Sequence, residues 1–175
     1  GSAFGGKHDG QPSQANFENT LTLDYIKHSY DYLILEDESR TIGRAGLPGL
    51  WYEKMQTSKL IILEVENDIR AENIYGEYIY KEIKSGFSED ILLNKYLGSL
   101  KNIKRRLGNK IYSEIKYLME NAFFNNEEEL HKEWILMILL NYYDKMYNYK
   151  LDMRKDFIVY KGTSESCKDY INSMF

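Results

Sequence analysis

Lys59-Leu60-Ile61-Ile62-Leu63-Glu64-Val65-Glu66-Asn67-Asp68 sets the architecture expected of this chain. Four apolar residues run without interruption and give way to acid and amide groups. Strict alternation would mark a strand with one wet face, whereas a short continuous apolar run fits a strand buried on both faces of a parallel sheet. Tyr32-Leu33-Ile34-Leu35 shows the same pattern upstream and ends in Glu36-Asp37-Glu38, and Phe157-Ile158-Val159-Tyr160 shows it near the end of the chain.

Helical signals fill the space between these runs. Ser13 is a plausible N-cap for a helix over 14–28, with Phe17, Leu21 and Tyr25 on one face. Gly43, Gly46 and Gly49 break the chain, and Pro48 suits the first turn of a helix reaching 57. A helix is expected over 69–84. Ser88 caps another that runs to Leu107 and stops at Gly108. Two more follow over 110–124 and 127–149, and Thr163 or Ser164 opens a last one reaching 174. Strands alternating with helices imply crossover connections and hence an α/β fold with a parallel sheet of about three strands. The long helical stretch reads as a large inserted subdomain, and a sheet this small and apolar should have missing neighbours.

Composition narrows the function classes. The 175 residues carry 23 Lys+Arg and 27 Asp+Glu, for a net charge of −4, with 43% hydrophobic residues, which is ordinary globular material. The single cysteine, Cys167, excludes an internal disulfide framework and a Cys-rich zinc site, and fits a reducing cytosol. His8, His28 and His131 lack ligand spacing, so no metal site is expected. The longest apolar run, Trp134 to Leu140, is too short to span a bilayer, so no membrane role is expected, and the first residues show no basic-then-apolar leader pattern.

Three stretches could carry chemistry. Ligands of open parallel sheets bind beyond the carboxyl ends of the strands, where the first expected strand delivers Glu36, Asp37, Glu38, Ser39 and Arg40. Carboxylates there can hold Mg²⁺ or orient water, and Arg40 is a bidentate phosphate donor. A solvated acidic turn with an internal ion pair is the alternative. Arg70, after the second strand, either reaches back to a phosphate or pairs on the surface, with Glu66 as the expected partner. No Gly-x-x-x-x-Gly-Lys-Ser/Thr cradle occurs in the chain, so phosphate binding would lean on residues outside it.

The second stretch is basic. Between Lys101 and Lys116, six cations (Lys101, Lys104, Arg105, Arg106, Lys110 and Lys116) face one Glu114, leaving +5 in an acidic protein. Leu92, Tyr96, Leu100, Ile103 and Leu107 share one helix face, so Lys101, Arg105 and Arg106 point to solvent, with Lys104 on the flank. Such a face suits a polyanion such as RNA backbone. The bland reading is a solvated face balanced by Glu127-Glu128-Glu129 and Glu133. The third stretch, Tyr142-Tyr143-Asp144-Lys145-Met146-Tyr147-Asn148-Tyr149, offers rings that could stack on bases but at helical spacing reads as structural. Cys167 reads as a small packed residue.

Taken together and in order, several motifs resemble the bacterial tRNA 2-selenouridine synthases. They are Gly1-Ser2-Ala3-Phe4-Gly5-Gly6, then Gln11-Pro12-Ser13-Gln14 with Phe17-Glu18-Asn19. Glu36-Asp37-Glu38-Ser39-Arg40-Thr41-Ile42-Gly43 follows, with Leu47-Pro48 after it. Ile103-Lys104-Arg105-Arg106-Leu107-Gly108 and the Tyr142–Tyr149 stretch complete the series. The resemblance covers nearly the whole chain and corresponds to the C-terminal part of that family.

The resemblance implies a rhodanese domain, which supplies the reactive cysteine, joined to a P-loop domain. The implied activity is a transferase reaction replacing the sulfur of wobble 2-thiouridine in tRNA with selenium from selenophosphate. It passes through an S-geranylated intermediate made from geranyl diphosphate. The rhodanese and P-loop segments are missing from this chain, which should bind no cofactor by itself and be inactive alone. The implied layout is the latter part of a P-loop NTPase-like α/β domain over 1–66, a helical subdomain over 67–155, and a returning strand and helix over 156–175. Ser2, Phe4, Gly5, Gln14, Glu36, Asp37, Glu38, Ser39, Arg40 and Arg70 are then expected at the phosphate and substrate pocket. Lys101, Lys104, Arg105, Arg106, Lys110, Tyr143 and Tyr147 are expected to meet the tRNA anticodon stem-loop, with no catalytic residue in this chain. The implied location is cytoplasmic. A P-loop kinase-like nucleotide-binding module without a tRNA role is the alternative.

Overall fold

The structure, a computed structural model, describes Phe4, residues 10–29 and residues 31–174. The chain divides into two compact units, residues 1–58 and 59–175.

In the first unit, α1 (Gln14–Lys27) starts where expected, because Ser13 Oγ accepts the Asn16 N–H at 3.2 Å. The short strands β1 (Thr41–Ile42) and β2 (Ala45–Gly46) form an antiparallel hairpin, followed by α2 (Gly49–Gln56). Gly43 turns the hairpin at φ +62°, and a Cβ there would lie 2.2 Å from the Gln11 side chain. Glycine is therefore required both by the backbone and by its neighbour.

Tyr32-Leu33-Ile34-Leu35 corrects one expectation. The run forms no strand, and all four side chains are exposed, Ile34 by 64%. An apolar run becomes a strand only where another strand satisfies its backbone groups, and no ladder partner for it occurs among the described residues. Among the described residues there is accordingly no three-stranded sheet. The described strands form two pairs, the hairpin and one parallel pair in the second unit.

That parallel pair joins β3 (Leu60–Leu63) to β4 (Ile158–Gly162), with Leu60 opposite Ile158 and Leu63 opposite Gly162. The helix α9 (Ser164–Asn172), capped by Thr163, packs on both strands. Tyr160 and Tyr170 stack there at 4.4 Å between ring centroids. Cys167 is buried in the same layer, its Sγ 3.4 Å from the Gly162 carbonyl and 3.7 Å from that of Ile62.

A helical assembly occupies the crossover between the two strands. α3 (Asn67–Tyr75) passes through a π-helical turn, Gly76–Tyr80, into α4 (Lys81–Lys84). α5 (Glu89–Leu107) is capped by Ser88 and buries the five apolar residues expected from their spacing. α6 (Asn109–Asn125) follows after Gly108. α7 (Glu128–Ile138) passes through a second π-helical turn, Leu139–Tyr143, into α8 (Asp144–Met153). α6 packs between α5 and α7, and α3 packs on α7. Ile79, Leu92, Tyr96, Leu100, Ile115 and Met119 are the largest fully buried side chains. Each contributes about 1.5–3 kcal/mol by leaving water. Among the described residues no helix is long and apolar enough to cross a membrane.

Candidate functional site

The candidate site lies in the second unit, on a strip running from the α5–α6 corner to the start of α3. α5 buries Leu100, Ile103 and Leu107 and so presents Lys101, Lys104, Arg105 and Arg106 to solvent, as the periodicity requires. Gly108 then reverses the chain at φ +80° and ψ 161°. This turn brings the last turn of α5 beside the first turn of α6, where Lys110 is also exposed. Lys101, Lys104, Arg105, Gly108 and Asn109 line an open depression at this corner. Lys104 Nζ lies 4.8 Å from the centroid of the Tyr112 ring, which holds its stem along α6. α6 begins without a side-chain cap, so its first backbone N–H groups add positive potential to that of the cations.

Two members of the acidic run that could have balanced this face, Glu128 and Glu129, are engaged elsewhere. Lys132 Nζ contacts Glu128 at 2.6 Å, Glu72 at 2.6 Å and Glu129 at 3.2 Å. Hydrogen bonds to Glu128 and Glu72 raise the proton affinity of Lys132 above its ordinary value.

Arg106 behaves differently from its neighbours. Its Nη1 donates to the Tyr142 hydroxyl at 3.2 Å, and the guanidinium carbon lies 5.9 Å from the centroid of that ring. Tyr142 sits in the second π-helical turn and meets Tyr143 edge-on at 4.9 Å, and Tyr143 stacks on Tyr147 at 6.0 Å. The structure places Tyr143 in the interior, 8% exposed, and leaves Tyr147 46% exposed.

Asp144 follows directly. Its carboxylate takes both arms of Arg70, with Nη2–Oδ1 at 2.5 Å and Nη1–Oδ2 at 3.1 Å, while Nη1 also donates to Asn67 Oδ1 at 3.0 Å. The hydrogen bond to Asp144 raises the Arg70 pKa, against the opposing effect of partial burial. The expected Glu66 pairing is corrected: the ion partner comes from 74 residues further along the chain.

In the first unit the acidic stretch forms no strand, and two glutamines fasten the hairpin that follows it. Gln11 donates to the Ile42 carbonyl at 2.8 Å and accepts the Arg44 N–H at 2.6 Å. Gln14 donates to Gly46 O at 2.8 Å, accepts Gly46 N–H at 2.8 Å, and also donates to Glu18 at 2.6 Å. Ser39 Oγ donates to Thr41 O at 2.8 Å, and the Leu47 N–H donates to Arg40 O at 2.9 Å. Glu36, Asp37 and Arg40 are exposed and Glu38 and Ser39 half-buried. Phe4 is buried, whereas Ser2 and Gly5 lie outside the described residues. No group of His, Cys, Asp and Glu side chains with metal-binding geometry occurs among the described residues.

Sequence reasoning missed Gln11, Tyr142 and Asp144 as individuals, although all three stand inside motifs already singled out. Two glutamines bracketing a Pro-Ser helix start, ahead of a glycine-marked turn, were the available signal for the first.

A family model described as the tRNA 2-selenouridine synthase AAA domain matches residues 1–175. Similar curated proteins include the tRNA 2-selenouridine synthase of Shewanella halifaxensis (strain HAW-EB4), 36% identical over 99% of this chain and 51% of the relative. That of Shewanella woodyi (strain ATCC 51908 / MS32) is 34% identical over 98% of this chain and 50% of the relative. That of Shewanella sp. (strain ANA-3) is 36% identical over 99% and 51%. The chain thus spans about half the length of the curated relatives it matches. No solved structure matches it.

Proposed function

This chain belongs to the tRNA 2-selenouridine synthase family, and we propose that it supplies the tRNA-gripping part of an enzyme that converts wobble 2-thiouridine to 2-selenouridine. In this reading the full-length transferase first geranylates the thiouridine sulfur with geranyl diphosphate. Selenium from selenophosphate then takes the place of the S-geranyl group. The nucleophilic cysteine belongs to the rhodanese segment and the principal phosphate cradle to the P-loop segment. The present residues complete a P-loop-like parallel sheet and the diphosphate pocket, and are inactive alone. The protein works in the cytoplasm.

The observation that carries the tRNA role is the exposed cationic corner. Lys101, Lys104 and Arg105 converge on one depression, with Lys110 on the adjoining first turn of α6, in a chain of net charge −4. A concentrated cationic face gains affinity for a nucleic acid backbone by releasing its condensed counterions. Tyr147 adds an exposed ring that can meet a base of the anticodon loop. Asp37, Glu38 and Arg40, held near the hairpin that Gln14 fastens, are assigned to the diphosphate pocket.

A salt titration of tRNA binding by the intact gene product tests the assignment. Neutralising Lys101, Lys104 and Arg105 together should flatten the slope of log K against log salt by about 2–3, at roughly 0.7–0.9 per lost phosphate contact. An unchanged slope removes the basic corner from the RNA interface. Magnesium-dependent ATP binding without tRNA affinity would favour a kinase-like nucleotide module instead. For the pocket, Arg40→Ala should impair geranyl diphosphate use, and normal geranylation would return Arg40 to a structural role.

A further inference from the structure

We propose that Arg70 and Arg106 are positioning residues: from α3 and from α5 they brace the π-helical segment Tyr142-Tyr143-Asp144, and neither grips the RNA or a phosphate directly. The part concerning Arg106 rests on the tRNA reading above.

A π-helical turn carries an extra residue in the helix and turns up often at functional positions. Here it spans Leu139–Tyr143, and Asp144 opens α8 directly after it. Tyr142 and Asp144 are two positions apart, so they leave the helix on different sides rather than along one face. Arg106 takes one and Arg70 takes the other. Contacts from two separate helices therefore fix the rotation of this turn. That rotation in turn sets the aromatic row Tyr142–Tyr143–Tyr147, whose rings meet at 4.9 and 6.0 Å.

Chemistry argues against a direct anion role for either arginine. Both Asp144 oxygens sit on the Arg70 guanidinium, at 2.5 and 3.1 Å, and Asn67 takes a third contact. An incoming phosphate would meet a neutralised cation with a carboxylate in the way, and would have to displace a bidentate pair. Arg106 does not line the depression formed by Lys101, Lys104 and Arg105, and its guanidinium is held by the ring and hydroxyl of Tyr142. A planar guanidinium makes both contacts at once, which an ammonium does not reproduce.

The experiment compares single variants of the intact gene product by salt titration with a bacterial tRNA pool, with thermal melts to verify folding. Arg105→Ala should lower the salt slope by roughly 0.7–0.9, the value of one phosphate contact. Arg106→Ala should weaken binding about three- to tenfold with the slope unchanged. Arg106→Lys should match Arg106→Ala, because the charge is kept and the planar contact is lost. A slope loss for Arg106→Ala equal to that of Arg105→Ala, or full rescue by Arg106→Lys, would overturn the proposal for Arg106. For Arg70, Arg70→Ala and Asp144→Ala should weaken tRNA binding to a similar extent, and the charge-reversed pair Arg70→Asp with Asp144→Arg should restore most of it. Tighter binding by Asp144→Ala, or no recovery in the reversed pair although it folds, would make Arg70 a direct anion ligand. If the unmodified protein binds no tRNA, the functional reading itself fails. The brace at Arg70 is then judged by whether the reversed pair recovers the melting temperature that each single variant loses.

Discussion

The Gln14 side-chain amide engages both backbone groups of Gly46, its Oε1 accepting from the N–H and its Nε2 donating to the carbonyl, each at 2.8 Å. An amide used in this way stands in for a neighbouring strand. It ties the start of α1 to the hairpin that follows the acidic stretch Glu36–Arg40.

Gln14→Ala removes both bonds and should cost the hairpin about 1–2 kcal/mol. Gln14→Glu should loosen it further, because a carboxylate cannot donate to Gly46 O and would face Glu18, which now accepts from Gln14 at 2.6 Å. Native-state hydrogen exchange at the Gly46 amide reads this directly. Protection that stays unchanged in Gln14→Ala would show that the hairpin does not depend on the glutamine.

Two glycines, one inside α5 and one just past its end, should respond with opposite signs. Gly98 lies inside α5 with nothing within 4 Å of an added Cβ, so Gly98→Ala should stabilise by about 0.5–1 kcal/mol. Gly108 has equally open surroundings but φ +80° and ψ 161°, a conformation that L residues rarely adopt. Gly108→Ala should destabilise by about 1–3 kcal/mol through backbone strain alone. Urea unfolding of the two variants checks the contrast, and equal signs would contradict it.

His131 makes folding sensitive to mild acid. Its ring is buried, edge-on to Phe123 at 4.5 Å, and its Nδ1 accepts from Trp134 Nε1 at 3.2 Å. Burial pushes its pKa from 6.5 down to about 4. The folded state thus favours the neutral ring, so the stabilisation is fully present above the unfolded value of 6.5 and is lost as pH falls from there through 4. Between pH 7 and 5 this residue should remove on the order of 2 kcal/mol from the unfolding free energy. His131→Phe should flatten that part of the pH profile in denaturant titrations, and an identical profile would exclude His131 as its source.

Tyr96 supports the first π-helical turn. Its ring is 1% exposed and its hydroxyl donates to the Tyr78 carbonyl within Gly76–Tyr80. Tyr96→Phe leaves that carbonyl without the hydroxyl and should lower stability by about 1–2 kcal/mol, seen as a shifted urea midpoint at constant slope. Tyr117→Phe, on an exposed face, should stay within about 0.5 kcal/mol of the parent.

Local signals were legible wherever the physics is local. Ser13, Ser88 and Thr163 cap helices because a side-chain oxygen reaches an N–H within three residues of itself. The buried face of α5 follows from helical spacing alone, and with it the exposure of Lys101, Lys104, Arg105 and Arg106. The candidate site was legible to the same extent: its cations were visible in the chain, but the partners of two of them were not.

Leu60–Leu63 and Tyr32–Leu35 mark the boundary between the two kinds of information. Both are four-residue apolar runs ending in acid, and one pairs with Ile158–Gly162 while the other stays exposed. Strand character is conferred by the partner that takes up the backbone hydrogen bonds, and no single run encodes it. The same holds for side chains. Tyr143 and Tyr147 are equivalent tyrosines of one motif, yet packing buries one and leaves the other half open. Arg70 and Asp144 stand 74 residues apart, and Gln14 and Gly46 stand 32 apart. The sequence alone therefore determined the helices, their caps and the sign of the surface charge, all of which depend on neighbours within a turn or two. The tertiary structure decided which strand pairs, which ring is reachable and which arginine is already engaged, because those outcomes depend on groups brought together only by folding.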